Sequence, residues 1–421
     1  MPDPAALFAP LAGYHRVGLA VSGGPDSFAL MLLAAKWAVQ QTPPVPLVVY
    51  TVDHGLRPEA AAEAAFVART AEELGLAVRI LRWTGAKPKA GLQAAARQAR
   101  YRLIGAAMAT DGTEVLLTAH HAHDQAETLL MRFAHGSGLS GLGAMDVFVS
   151  LEGVTVCRPL LGLAPEVLGQ VVTDAGLAAI ADPSNQNEDF ERVRWRGVLP
   201  VLANLGLDAG RFALFAKRAR RADAALQQLT HEAYAKLAIS DGFGIIRIER
   251  AAFAFLPAEL QVRVVRMALS AAGGGQKPFG LQQVEALAAE LVAPQALFRS
   301  TLMGCSIDCG PETIAFLREP LRVSQTAHQL TPGARLCWDQ RFAITNLAGM
   351  DVEIRPGTDL TRQAAEATLG RSLPVPMAAI HAAPVVRGAD GEIIAIGAMV
   401  LDRAIELRFL GVAGSDRPET A

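Results

Sequence analysis

Short apolar runs alternate, over the first two hundred residues, with longer stretches whose apolar positions recur every three or four. The runs VGLAVS (17–22), LVVYTVDH (47–54), VRILRW (78–83), EVLLTAH (114–120) and VTVCRPL (154–160) have the length and β-branched content of strands. Between and after them, 28–40, 59–74, 92–109, 124–135 and a stretch beginning after Pro165 carry helical patterns. Strands alternating with helices imply right-handed crossovers, so the pattern predicts an α/β domain over 1–205 built on a mainly parallel sheet. Ligands of such sheets lie beyond the C-terminal ends of the strands, which makes the polar residues following each strand the place to seek chemistry.

The pattern changes near 206. Phe212, Phe215, Ala219, Ala222, Leu226 and Leu229 recur at spacings of 3 and 4, predicting a helix that buries this stripe and turns Lys217, Arg220 and Arg221 away from it. More helical pattern follows over 258–270 and 280–292, with a Gly-rich connection at 271–278, so 206–320 is expected to be a helical domain. After Pro320 the chain turns to short strands with Pro and Gly between them (ARLCW, RFAITNL, MDVEIRP, EIIAIGAMV), predicting a small β-rich domain over 321–421 whose last residues fray.

Composition narrows this little. At 421 residues and 51% apolar content the chain can fill two or three cores, and no run of 18 apolar residues offers a membrane span. No basic leader precedes an apolar core at the N-terminus, and four cysteines are too few and scattered for a disulfide framework; the chain reads as cytosolic. A net charge of −2 argues against a surface coated in nucleic acid. An RNA partner would have to be held by local patches: Arg97, Arg100 and Arg102; Arg192, Arg194 and Arg196; or Lys217, Arg218, Arg220 and Arg221.

The strongest local signal is Ser22-Gly23-Gly24-Pro25-Asp26-Ser27, between a strand and a helix. Two glycines let the backbone turn tightly toward a polyanion, and the helix that follows aims free N–H groups at the same place. The Ser22 and Ser27 hydroxyls add donors. A carboxylate at Asp26 fits a phosphate cradle when a divalent cation bridges the two, which points to Mg²⁺. The loop lacks the Gly-Lys-Ser/Thr ending of kinase-type loops, so γ-phosphoryl transfer is not indicated. The bland alternative is an ordinary strand-to-helix turn.

The SGGPDS loop matches the SGGxDS pattern and so resembles the PP-loop, or N-type ATP pyrophosphatase, enzymes, whose members hold the pyrophosphate of ATP there and transfer AMP. Further segments are similar, in order, to bacterial tRNA(Ile)-lysidine synthetases: Val52-Asp53-His54-Gly55-Leu56-Arg57, Ala96-Arg97-Gln98-Ala99-Arg100-Tyr101, and the run from Thr118 to Thr128 (THHAHDQAET with Ala119 after the first residue) against THH-x-DDQ-x-ET. Gly141-Leu142-Gly143-Ala144-Met145, Arg158-Pro159-Leu160-Leu161 and Asp182-Pro183-Ser184-Asn185 also fit. Beyond 206 the likeness rests on domain order and Trp338-Asp339-Gln340-Arg341-Phe342. Two departures stand out: His123 replaces the first of two aspartates, and Arg192-Val193-Arg194-Trp195-Arg196 replaces Arg-Asn-Arg-Ile-Arg.

The resemblance implies a Rossmann-like N-terminal domain and a definite chemistry. The wobble cytidine of the CAU-anticodon isoleucine tRNA would be adenylated from ATP, and the side-chain amine of L-lysine would then displace AMP. It places ATP on Ser22, Gly23, Gly24, Pro25, Asp26, Ser27 and Asp53, Mg²⁺ at Asp26, and catalysis with Asp26, Arg97, His120, Asp124 and Glu127. Asp124 and Glu127, three apart, would form an acidic pair on one helix face beside His120 as a base. Plainer roles stay open: Asp124 as a helix cap, His120 and His121 as polar residues ending a strand, Asp53 as a strand end, Arg97 and the 217–221 stripe as solvated faces. A tRNA thiolase is disfavoured by the lack of any Cys-x-x-Cys pair. An amide-forming synthetase is disfavoured because no glutaminase domain is visible, and a non-catalytic tRNA binder by the intact loop. The oligomeric state is open, a homodimer included.

Overall fold

The computed structural model describes residues 2–88, 90–180, 191–275, 280–293 and 297–411; the Asp182-Pro183-Ser184-Asn185 motif and residues 276–278 of the Gly-rich connection lie outside them. The chain forms two compact units, Met1–Asp223 and Ala224–Ala421. Among the described residues no single helix is long and apolar enough to cross a membrane.

The first unit carries strands β1 (Val17–Ala20), β2 (Leu47–Asp53), β3 (Ala77–Arg82), β4 (Val115–Leu117), β5 (Phe148–Leu151) and β6 (Val154–Cys157). They form one sheet in the order β3-β2-β1-β4-β6-β5, parallel throughout except for the β5–β6 hairpin at the edge. The five strands read from the apolar runs are all present; β5 was not anticipated, because FVSL shows only a short alternation at an exposed edge. The helices are α1 (Pro4–Phe8), α2 (Pro25–Val39), α3 (Ala60–Glu73), α4 (Leu92–Asp111), α5 (Ala122–Ala134), α6 (Leu139–Leu142), α7 (Pro165–Asp174), α8 (Glu191–Asn204) and the first half of α9 (Ala209–Leu237), whose residues from Ala224 on belong to the second unit. Helix α2 begins at Pro25, whose fixed φ suits the first helical turn, and it is apolar almost all round. A helix of that kind must be covered on every side. Phe28, Leu30, Leu33 and Trp37 accordingly fill the main core with Val17 and Leu19 of β1 and Val171 of α7.

Helix α9 corrects the expected stripe. Ala216, Ala219 and Asp223 are buried, with Phe212 half-buried against Leu129 and Ala144, whereas Phe215, Ala222 and Leu229 are exposed. The inward face is thus 212, 216, 219, 223, about one residue around the helix from the sequence pattern. Arg220 also turns inward, donating to the carbonyls of Gly143 and Met145.

The second unit is not purely helical before residue 320. Helices Ala258–Gly273 and Leu281–Val292 share a core with a five-stranded antiparallel sheet of β7 (Ala238–Ser240), β8 (Ile246–Glu249), β9 (Phe298–Leu302), β10 (Cys305–Cys309) and β11 (Thr313–Arg318), in the order β7-β8-β11-β10-β9. The available signal was Met303-Gly304, both at positive φ, a two-residue turn ahead of the alternating Cys-Ser-Ile-Asp-Cys. Beyond Pro320 come β12 (His328–Leu330), β13 (Arg335–Trp338), β14 (Phe342–Asn346), β15 (Val352–Pro356), β16 (Pro384–Arg387), β17 (Ile393–Ile396), β18 (Met399–Val400) and β19 (Ile405–Phe409). They form the sheets β12-β15-β16-β17-β18 and β13-β14-β19, the β-rich region that the sequence leads one to expect. The Trp338–Phe342 motif makes the β13–β14 hairpin. Its Asp339 carboxylate accepts from buried Arg318 at 2.9 and 3.1 Å and buried Arg341 at 2.7 Å, so this motif is structural.

Candidate active site

The residues after β1, β2 and β4 meet α4 around a cavity of about 650 Å³, large enough for a nucleotide. Ser22, Gly24, Pro25, Asp26 and Ser27 form one wall; Thr51, Val52 and His54 continue from β2; Thr118, His120 and Asp124 follow β4; Gln93, Arg97, Arg100 and Tyr101 of α4 close the far side. The cavity therefore sits at the strand ends where the topology calls for it.

The loop is held by its own atoms. Gly23 adopts φ +90°, and a Cβ there would stand 2.5 Å from Ile180 Cδ1, while its carbonyl accepts the Ile180 N–H at 2.9 Å. The position therefore needs glycine for both its dihedral and its space. Ser27 Oγ donates to the Gly24 carbonyl at 2.9 Å and accepts the Ser22 N–H at 3.2 Å. That hydroxyl thus braces the turn, leaving Ser22 Oγ, 3.4 Å from it, as the hydroxyl with capacity to spare. Asp26 stands in the first turn of α2 with its carboxylate 36% exposed.

His121, which sequence reasoning mentioned only beside His120, joins the two ends of the site. It caps α5: its Nδ1 accepts the His123 N–H at 3.2 Å, and Asp124 Oδ2 accepts the His121 N–H at 2.9 Å. The capping role considered for Asp124 is thus present in a reciprocal box. With Nδ1 accepting, the proton of a neutral His121 ring lies on Nε2, which is 3.5 Å from Asp26 and 3.6 Å from Asp124. Burial pulls the His121 pKa down, but Asp26, Asp124 and Glu127 outweigh it and raise it. Burial pushes the Asp124 carboxyl up, and His121, His120, the His121 N–H and Arg192 more than reverse that. His120 is the opposite case. Its Nδ1 pairs with Thr118 Oγ1 at 2.9 Å, and burial lowers its pKa to about 4, so the ring is neutral near pH 7.

Glu127 is brought near Asp124 in sequence but not into the cavity. Its side chain is fully buried, Oε1 accepts from Arg196 Nε at 2.7 Å, and Oε2 lies 3.1 Å from Arg192 Nε without the alignment of a hydrogen bond. Arg192 also donates to Thr128 Oγ1 at 3.1 Å. Two arginines flagged as an RNA patch therefore clamp α8 onto α5. Asp53 does not line the cavity: Oδ1 accepts the Gly55 N–H at 2.8 Å, and Arg82 Nε is 3.8 Å from Oδ2. Gly23 shapes the loop without lining the cavity, and His123 is likewise outside it. Arg97 does line it, exposed, with its guanidinium carbon 5.2 Å from the Tyr101 ring centroid. His54 of the wall is held to a pKa of about 4 by burial, then by Arg100 and Lys87.

Other matched segments are braces. Gln125 exchanges two hydrogen bonds with the Met145 backbone at 2.8 and 2.7 Å, and Arg132 donates to the carbonyls of Gly141 and Ala144. A second cavity of about 510 Å³ shares Gln93 with the first and is lined by Thr128, Met131, Arg132, His135, Glu191 and Arg192.

Residues 4–202 match the PP-loop domain family. A tRNA(Ile)-lysidine synthase of Bradyrhizobium diazoefficiens is 43% identical over 337 residues, covering 75% of this chain and 93% of that protein. The chain belongs to the tRNA(Ile)-lysidine synthase family. The corresponding protein of Rhodopseudomonas palustris is 44% identical over 328 residues, covering 75% of this chain and 94% of its own. That of Ruegeria pomeroyi is 39% identical over 341 residues, with 81% and 79% covered. The PP-loop core of this family is where the loop, Arg97 and Asp124 meet, and the N-terminal domain uses ATP as PP-loop enzymes do.

Proposed function

We propose that this protein uses ATP to join L-lysine, through its side-chain amine, to C2 of the wobble cytidine in the CAU anticodon of tRNA(Ile), changing codon reading from AUG to AUA. The C2 oxygen attacks the α-phosphate of ATP and pyrophosphate leaves. The amine then attacks C2, the C–O bond breaks and AMP leaves. The observation that carries this reading is the single cavity in which the SGGPDS loop, exposed Arg97 and the Asp124 carboxylate face one another, in a chain with 43% identity to a lysidine synthase over nearly that protein's whole length.

The donor set fits its substrates. The loop backbone and the N-terminus of α2 suit the departing pyrophosphate, and Arg97 suits charge growing at the α-phosphate. Asp26 suits Mg²⁺, which bridges one or two carboxylates to phosphates; its charge would offset the repulsion between them. Asp124, kept ionised by its neighbours, is the group to hold the lysine ammonium. His120, with a pKa near 4, is too weak a base to keep a proton taken from an ammonium of ordinary pKa about 10.4. His121 is no better placed, since its neutral ring keeps hydrogen on Nε2 and commits the Nδ1 lone pair to the His123 N–H. The proton passes from the ammonium held by Asp124 to water, His121 holds Asp26 and Asp124 in place, and Glu127 positions α8. In this reading 1–205 is the catalytic domain, and 206–320 and 321–421 contact the tRNA.

The test is AMP release by the purified full chain with ATP, CAU-anticodon tRNA and lysine, each omitted in turn. Turnover that needs all three and leaves labelled lysine in the tRNA is the expected result. AMP formed equally well without tRNA would overturn it in favour of a small-molecule synthetase.

A further inference from the structure

The outward face of the first three turns of α9 has a composition that the nucleotide site does not use. Residues 211–221 hold five basic side chains and no acidic one. Arg220 is spent inside, on the carbonyls of Gly143 and Met145, while Phe212 and Ala216 pack against Leu129 and Ala144 and fix the helix on the catalytic unit. That leaves Arg211, Lys217, Arg218 and Arg221 exposed, and among the described residues none of their side chains has a carboxylate partner. Between them stand Leu214, 39% exposed, and Phe215, 48% exposed. Arg211 and Arg218 sit four before and three after Phe215, so they flank its ring on one helix face.

A charge stripe alone serves any phosphate backbone. An exposed aromatic ring within it serves something narrower. Bases in a duplex are stacked on one another and offer a ring no free face; unpaired bases do, and stacking between cationic side chains is how they are held. We propose that this face of α9 binds an unpaired segment of the RNA substrate, with Phe215 stacking on a base, Leu214 packing beside it, and Arg211, Lys217, Arg218 and Arg221 tracking the phosphates. The proposal rests on the reading that the substrate is a tRNA, and it names the face and the kind of RNA segment that meets it.

The experiment measures binding of two RNA probes to the full chain over a series of salt concentrations: a CAU anticodon stem–loop and a fully paired duplex with the same number of phosphates. Phe215→Ala should bind the stem–loop about 5- to 30-fold more weakly, leave the duplex unchanged, and keep the same slope of log affinity against log salt. Phe215→Tyr should restore stem–loop binding. Lys217→Ala should weaken both probes and reduce the slope for the stem–loop by about 0.7. Thermal melting of Phe215→Ala, a substitution at an exposed position, checks that the fold is kept.

Stem–loop binding by Phe215→Ala equal to the original, or an equal loss on both probes, would overturn the stacking role while lysine transfer to tRNA still stood. A wild-type dimer that Phe215→Ala turns to monomer, with RNA affinity unchanged, would give the face to a second copy of the chain and overturn the proposal too. A wild-type protein that turns over ATP but binds neither probe would remove the tRNA reading itself, and this inference with it.

Discussion

Replacing Glu127 by glutamine keeps the side chain's size and removes the charge that two arginines of α8 share. The Glu127 carboxylate is fully buried, whereas the Arg192 and Arg196 side chains are 39% and 43% exposed. A sealed ion pair that loses one partner costs about 3–5 kcal/mol, because the other charge stays dry. Here both guanidiniums can swing toward water, and the amide oxygen can still accept from Arg196, so the cost should approach that of one charged hydrogen bond, about 2 kcal/mol. For a unit the size of Met1–Asp223 that lowers the melting temperature by roughly 4–8 °C. Thermal unfolding of Glu127→Gln and Glu127→Ala, with AMP release measured at 15 and 37 °C, tests this. If Glu127 positions α8, alanine melts lower than glutamine and activity recovers on cooling. Unchanged melting with activity lost at both temperatures would refute the clamp and return Glu127 to the reacting atoms.

Three further outcomes follow from the same geometry. Asp26→Ala should reduce AMP formation by about 100-fold or more while melting stays close to the parent; normal turnover would take the SGGPDS loop out of the chemistry. Asp339→Asn should strand the buried guanidiniums of Arg318 and Arg341 and lower the stability of the second unit by about 3 kcal/mol, read as an earlier unfolding step in denaturant; coincident curves would contradict it. His120, with a folded pKa of about 4 against an ordinary 6.5, makes the folded state the poorer proton binder. Its stabilisation is complete above about pH 6.5 and fades as pH falls toward 4. Between pH 7 and 4.5 the parent should therefore lose about 2 kcal/mol more than His120→Gln, and parallel melting curves at the two pH values would show that burial does not hold this ring neutral.

Local pattern was enough for much of this protein. The apolar runs located β1, β2, β4 and β6, because strands buried in a parallel sheet must be apolar along their length, and they located β3 as well, although it lies largely exposed at the sheet edge. The two glycines and Pro25 located the loop and the start of α2, because each constrains the backbone where it stands. Periodicity fixed that α9 is a helix and that Phe212 and Ala219 turn inward, yet it set the rest of the stripe about one residue off: alanines score as apolar on every side, and packing against Leu129 and Ala144 selects 216 over 215.

The fate of the charged residues lay wholly in the tertiary arrangement. Asp124 and Glu127 are near neighbours on α5, but one lines the cavity and the other disappears beneath arginines 65 and 69 positions further along. His121 gained its place between Asp26 and Asp124 because the chain brings α2 and α5 together at the ends of β1 and β4. A residue's periodicity is a property of its neighbours in sequence. The partner that neutralises a buried charge is supplied by whichever distant element the fold delivers, and here that decided which acidic residues line the cavity.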